Sequence, residues 1–398
     1  MVCEEKKCCG CGGCVDVCPQ KCITMKVKPD GFLYPTIQEG GCIHCNLCRE
    51  VCPQISKMEK WTVKKCFAAY DNTHEDRLDS ASGGIGRIVY DSFLQINTNS
   101  EIIGVEFDLE NHAKFEITSE RSKIPGFQGS KYVQADHNNI FLKIAAELKA
   151  GKKVCFIALP CQIAAGINYC RVKNINTENL LTVDLLCHGV SSQEYLKEEL
   201  DFLKEKKRWQ AVNKLTFRSN RKFRDFHFYI EYTAKNGKTK IYNRYSDEDP
   251  YFHSFLSGIS LRESCCSCQF ATLNRVGDIT IGDYIGLGKM SSSPVFTGNA
   301  ISTSMILCNT TNGEAFLNRI GKQISIFERP FQEAVEGGAS LQKPFACSKK
   351  RSDFFEKYEL GKFVETVHTV ADAELRRNRL RRVPRRIIGQ ILLRFRRK

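Results

Sequence analysis

The sequence predicts an α+β chain: a small cysteine-rich N-terminal domain followed by a mixed-sheet α/β domain. Three observations predict it. Of 21 cysteines, eleven fall in the first 52 residues and the other ten are scattered over the rest. From Cys66 onward, short apolar runs alternate with segments of helical spacing. The 398 residues, 42% hydrophobic and 26% charged, suffice for two or three domains with a buried core. This composition excludes a mainly disordered or collagen-like chain. No stretch approaches the roughly 18 apolar residues that a spanning helix requires.

The cysteines also speak to compartment. Secreted disulfide scaffolds are usually short, with evenly paired cysteines; here the count is odd and the chain long. Crowded thiols point to metal or cluster ligation in a reducing compartment, so a cytoplasmic protein from an anaerobic setting is expected. The opening MVCEEKKCC has no apolar core and no small-residue cleavage site, so no signal peptide is expected.

Within the first 55 residues one spacing occurs twice. Cys8, Cys11, Cys14 and Cys18 form C-x2-C-x2-C-x3-C before Pro19, and Cys42, Cys45, Cys48 and Cys52 repeat it before Pro53. Two-residue gaps let a loop curl around a cubane iron–sulfur cluster, and the fourth cysteine of each run ligates the other cluster. Cluster one is therefore assigned Cys8, Cys11, Cys14 and Cys52, and cluster two Cys42, Cys45, Cys48 and Cys18. Zinc ribbons use Cys-x2-Cys pairs, usually two per metal, and fit two complete Cys-Pro-terminated runs poorly. Gly10, Gly12 and Gly13 suit a loop that passes close to a cluster. Cys3, Cys9 and Cys22 fall outside the pattern and read as buried or free thiols. The segment 1–55 resembles a bacterial two-cluster ferredoxin over its whole length.

Ser56 to Lys65 is polar and reads as a linker to one α/β domain at 66–345. Ile102 to Phe107 is a β-rich run. Asn139 to Ala150 has helical spacing, with Gly151 as C-cap. Val154 to Leu159 and Leu180 to Leu186 are apolar runs that suit strands buried on both faces. Ser192 to Lys207 is an amphipathic helix capped by Ser191 or Ser192. Asn213 to Tyr242 alternates, with Asn236-Gly237 as a hairpin turn. Asp278 to Gly282 is a short strand.

Cys161 and Cys187 lie just past the carboxyl ends of the two apolar runs, where ligands of open α/β sheets gather. Cys265 and Cys268 form a further C-x2-C pair. These four could hold a third four-iron cluster; on spacing alone simple burial is the better reading, since a lone C-x2-C pair is common and free cysteines are often buried. Ser82, Gly83 and Gly84 open an apparent helix, where N–H groups and dipole suit a phosphate. Ser130 and Lys131 form a second small, cationic element. Each element taken alone favours an ordinary turn, and the dinucleotide fingerprint G-x-G-x-x-G is absent.

The motifs ASGG (Ala81 to Gly84), GSKYV (Gly129 to Val133), LPCQIAAG (Leu159 to Gly166), DLLCHGV (Asp184 to Val190) and CSCQFATLNRVGDITIGDYIG (ending at Gly286) resemble the coenzyme F420 hydrogenase/dehydrogenase beta-subunit family in order and spacing. With the ferredoxin segment, the resemblance covers roughly four-fifths of the chain. It implies a flavin-binding domain with one FAD, contacted by Ser82, Gly83, Gly84, Ser130 and Lys131. It also favours the third [4Fe-4S] cluster on Cys161, Cys187, Cys265 and Cys268. Asp283-Tyr284-Ile285-Gly286 departs from the family's acidic-aromatic-Trp stretch, which bears on the substrate. Members often accompany surface-polysaccharide enzymes, so that pathway is the first expectation.

Clusters pass single electrons while organic reductants exchange hydride, and a flavin does both. The expected function is an iron–sulfur flavoprotein oxidoreductase acting on a small organic substrate or deazaflavin. A non-catalytic electron-transfer subunit serving a partner enzyme is the alternative. His188 is the candidate proton donor, or else bonds backbone at a strand end. Asp283 binds cofactor or caps a turn. A homo-oligomer is compatible with all of this.

Residues 346–398 form a C-terminal extension. From Arg376 it carries +11 of the formal net charge of +14. Leu380, Val383, Ile387, Ile388, Ile391, Leu392 and Phe395 interleave with the basic residues, and Pro384 is expected to break the segment. Such a stretch suits an anionic membrane surface on the inner face of the membrane. A solvated tail or docking to an acidic protein are the other readings. No nucleic-acid partner is expected, since no reading module accompanies the charge.

Overall fold

The computed structural model describes residues 2–219, 223–290, 303–321 and 323–395. In the N-terminal module each cysteine run winds through a tight loop into a short helix, Gly13–Val17 and Leu47–Glu50. Gly10 and Gly12 flank Cys11 with left-handed backbone (φ +65° and +79°), and His44 and Asn46 flank Cys45 in the same way (φ +54° and +62°). The repeated spacing is thus a repeated backbone, one that turns successive N–H groups to one side. Between the helices, β1 (Ile23–Val27) and β2 (Leu33–Ile37) form an antiparallel hairpin with Ile23 opposite Ile37.

The larger domain is built on a mixed sheet, as expected. Its strands are β3 (Lys65–Asp71), β4 (Ser100–Phe107), β5 (Ala113–Thr118), β6 (Lys153–Ala158) and β7 (Leu180–Leu185). A three-stranded meander follows, β8 (Trp209–Ser219), β9 (Phe223–Ala234) and β10 (Thr239–Tyr245), and then β11 (Ile279–Asp283), β12 (Ser304–Cys308) and β13 (Ile324–Glu328) return to the main sheet. Among the described residues its order is β13-β3-β12-β11-β7-β6-β4-β5. Parallel pairing of β11, β7, β6 and β4 sends their carboxyl ends to one edge.

The unbroken apolar run in β6 is buried on both faces. Val154, Phe156 and Ala158 join one core, and Cys155 and Ile157 the other. The first core packs under helices Ile140–Lys149 and Pro160–Val172 and continues through Val17, Phe32 and Val51 into the N-terminal module. The second lies under helices Ile85–Ile96 and Thr311–Ile320. Ser192 caps the helix Gln193–Lys207, its Oγ accepting from the Glu194 N–H at 3.0 Å. The Asn236-Gly237 turn joins β9 to β10, with Gly237 left-handed at φ +74°.

Three expectations change. The polar stretch before β3 is held against the α/β domain rather than free, because Trp61 and Arg275 exchange backbone hydrogen bonds of 2.6 and 2.8 Å. The extension from residue 346 belongs to the first core, burying Phe354, Phe363, Val367, Ala371 and Leu375. The helix Phe363–Phe395 also runs through Pro384. A proline deletes one rung of the ladder. Here the helix is anchored just upstream, with Arg382 paired to Asp247 at 2.9 Å and Arg379 Nη2 donating to the Glu248 carbonyl at 3.1 Å. Leu380 is exposed; the side chains of Val383, Ile387, Ile388, Ile391, Leu392 and Phe395 lie outside the described residues. No helix among the described residues is long and apolar enough to cross a membrane.

Candidate functional site

In the N-terminal module, Cys8, Cys11, Cys14 and Cys52 line one pocket, together with Cys3, Cys9, Val2, Met25 and Pro35. Burial pushes the Cys48 thiol up, and its sulfur neighbours Cys45, Cys18 and Cys42 add to the shift. The chain therefore gathers three cysteines of each run with the fourth of the other. Cys22 lies beside the second set, its Sγ 3.5 Å from that of Cys18. Among the described residues no three Cys, His, Asp or Glu side chains converge as a single ion requires. Four thiols in each set are the donors that a cubane iron–sulfur cluster takes.

The two sets sit in different surroundings. A Cβ on Gly10 would come 2.4 Å from Gln134 Nε2, and one on Gly12 2.2 Å from His137 Cγ. At the equivalent places, His44 and Asn46 carry exposed side chains. Arg262, fully buried, pins the first set to the α/β domain. Its Nε donates to the Cys8 carbonyl at 2.6 Å, Nη2 to the Leu33 carbonyl at 2.9 Å and Nη1 to Gln134 Oε1 at 3.0 Å. Arg262→Met is expected to lower stability by about 3 kcal/mol, since hydrogen bonds from a charged donor are lost and buried carbonyls left unpaired. Urea unfolding of the anaerobic protein measures this, and chelator-driven iron release from the module should quicken in parallel.

At the carboxyl edge of the sheet lies a second, larger pocket. Cys161 reaches it from the first turn of the helix Pro160–Val172, after β6; Cys187 follows β7; Cys265 and Cys268 come from the turn before β11. Phe270, Pro344 and Phe345 give it apolar walls. Burial pushes the Cys187 thiol up, and pushes that of Cys265 to about 12. Thiols that resist ionisation alone become ligands when a cationic core compensates their charge, so this set also suits a cluster.

Spacing alone missed Cys9. Its thiol faces Cys11 on one side and Cys161 on the other, and it lines both cavities. Also unread was the Cys266–Cys347 disulfide, which joins residues 81 apart. Two ion pairs, the first fully and the second partly buried, shape the edge as well. Arg275 meets Asp184 at 2.7 Å, and Arg218 meets Asp283 at 2.6 Å.

His188 lines the large cavity, its ring 3.9 Å from that of Phe345, and its Nε2 makes no hydrogen bond. Burial lowers its basicity against the backbone carbonyls of Phe255 and Leu256. Asp283 does not line this cavity: Arg218 holds it, and Arg218 in turn borders Tyr132. Nor do Ser82, Gly83, Gly84, Ser130 or Lys131. Ser82 Oγ donates to the Thr303 carbonyl, and the Gly83 N–H to Ser304 Oγ, each at 3.0 Å. A Cβ on Gly83 would come 2.6 Å from the Ala69 carbonyl oxygen, so close packing requires that glycine. The two small-residue elements do adjoin, since Gln128 Nε2 donates to Ser80 Oγ at 3.0 Å. Lys131 Nζ donates to the carbonyls of Gly126 and Gln128 at 2.8 and 3.0 Å, with no carboxylate paired to it among the described residues. A cation in that position fits an anionic diphosphate. Three residues on, Gln134 lines the cysteine cavity.

Paired cysteine runs beside a mixed sheet define an iron–sulfur protein of redox electron transfer. Residues 7–55 match the family model of the 4Fe-4S dicluster domain, and residues 151–333 match that of the C terminus of the coenzyme F420 hydrogenase/dehydrogenase beta subunit. The chain thus joins an N-terminal dicluster module to a beta-subunit domain of that family, as its motifs indicated. A chain from a xenon-derivatized structure of the F420-reducing [NiFe] hydrogenase complex of Methanosarcina barkeri is similar at 14% identity and a TM-score of 0.40, covering 79% of this chain and 93% of its own. No curated protein matches.

Proposed function

We propose that the chain is an iron–sulfur flavoprotein oxidoreductase, exchanging electrons between its dicluster module and a small organic substrate or deazaflavin through a third [4Fe-4S] cluster and FAD. One observation carries this reading: Cys161, Cys187, Cys265 and Cys268, drawn from three separate stretches, line one cavity that Cys9 of the N-terminal module also reaches. When bound, clusters supply single-electron transfer and a flavin converts it to two-electron chemistry.

The chain's own residues hold, orient and shield. The cysteine thiolates hold the clusters. Phe270 and Phe345 give the cavity apolar walls, which lower the local dielectric and so strengthen electrostatic interactions beside them. Lys131, with Ser130 and the Ser82–Gly84 turn, would hold the flavin diphosphate and supply its counter-charge. His188 lines the cavity and keeps a buried ring nitrogen without a hydrogen bond. An anaerobic spectrum tests the reading: absence of flavin absorbance after reconstitution with FAD would leave a cluster protein alone.

Burial pulls the Lys131 ammonium down to about 7, with Glu106 opposing. A bound diphosphate favours the charged form, so FAD uptake draws in a proton. Affinity is therefore expected to be flat below about pH 7 and to fall as pH rises above it. Lys131→Gln should weaken binding and flatten this dependence, as fluorescence titration reads directly.

We assign the basic tail to an anionic membrane surface, because its charge follows the anchored turn at Arg382. Full-length chain should sediment with anionic liposomes, and a chain ending before Arg376 should not. Equal binding by both refutes the assignment.

A further inference from the structure

We propose that Cys266 and Cys347 form a redox-active disulfide that accepts two electrons at the rim of the cysteine cavity. The inference rests on the cluster proposed for that cavity. Cys266 sits in the turn between Cys265 and Cys268, both of which line it. Cys347 follows Pro344 and Phe345, which wall the same cavity from another part of the chain. The bond therefore ties the proposed cluster-holding turn to the facing wall. The other 19 cysteines are unpaired.

The disulfide is not what holds these segments together. The Ser348 N–H donates to the Gly258 carbonyl at 3.2 Å, and Arg351 Nε and Nη2 donate to the Leu261 carbonyl at 3.2 and 3.1 Å. Arg351 also pairs with Glu263 at 2.5 Å. A Cβ on Gly258 would come 3.2 Å from Cys347 Cα, so the two backbones are already in close contact. The bond can open while its surroundings stay in place. Cys266 and Cys347 are both half-buried rather than sealed in the core. Disulfides that are accessible in a reducing setting are the labile ones.

On reduction the S–S bond breaks and two S–H bonds form; two reduced iron–sulfur centres each give up one electron, and solvent gives two protons. Closure is the reverse.

The test uses full-length chain loaded anaerobically with iron and sulfide. It is titrated with reduced methyl viologen, quenched with iodoacetamide and read by peptide mass spectrometry. Cys266 and Cys347 should be unlabelled before reduction and both labelled after it. The doubly substituted Cys266→Ser, Cys347→Ser chain should reach its endpoint two electrons earlier, the stoichiometry of one disulfide. A pair that stays unlabelled once the clusters are bleached overturns the proposal, as does equal labelling before reduction. Iron content and cluster bleaching in the same samples keep the two readings apart. Missing iron refutes the proposed function, whereas full iron with an unreduced pair refutes this inference alone.

Discussion

Cys187→Ser is expected to reduce the iron of the anaerobically reconstituted chain from about 12 to about 8 atoms, the difference of one four-iron cluster. Cys187 is chosen over Cys161 for a physical reason. The Cys9 thiol lies against that of Cys161 and could replace it as a ligand, whereas the sulfur neighbours acting on Cys187 are Cys265 and Cys268. The remaining iron should keep the signature of the dicluster module, whose two cysteine sets lie elsewhere. Iron analysis together with low-temperature magnetic resonance reads both quantities. A wild-type chain with about 8 iron atoms, or a variant that keeps about 12, would remove the third cluster.

Asp184→Ala should be the most destabilising single change in the α/β domain, at about 3–5 kcal/mol. Asp184 is fully buried. Its Oδ1 accepts from Arg275 Nη2 at 2.7 Å, and its Oδ2 from the backbone N–H groups of Val276 and Gly277 at 3.2 and 2.9 Å. Arg275 Nη1 donates to the carbonyls of Phe270 and Thr272. One carboxylate at the end of β7 thereby fastens the whole turn that carries Cys268. Removing it strands a buried guanidinium and frees that turn. Replacing both partners by Leu should cost less than the sum of the single changes, because neither charge is then left alone. Urea unfolding of the four chains closes this cycle. Iron lost from Asp184→Ala should come first from the sheet-edge site.

The legible parts of the sequence were those set by local pattern. Two cysteine runs revealed the N-terminal module because cluster loops are short-range objects. The apolar runs Val154 to Leu159 and Leu180 to Leu186 became adjacent parallel strands because burial on both faces leaves no room for alternation. Cys161 and Cys187 followed, since a strand end fixes where the next side chain emerges. What was not legible depends on distant partners. Cys9 has the same neighbours in sequence whether or not Cys161 stands opposite it. The Cys266–Cys347 bond and the docking of Phe363 and Val367 join segments that no window of sequence compares. Pro384 misled because helix propensity is a weak preference that anchoring at Arg382 and Asp247 overrides.

The unequal loops of the N-terminal module have a consequence for its symmetry. At Gly10 and Gly12 the backbone is pressed against Gln134 and His137, whereas His44 and Asn46 face solvent with the exposed Cys45 between them. The module is thus polarised by its neighbours alone, with Cys45 exposed on one side and Cys9 set against Cys161 on the other.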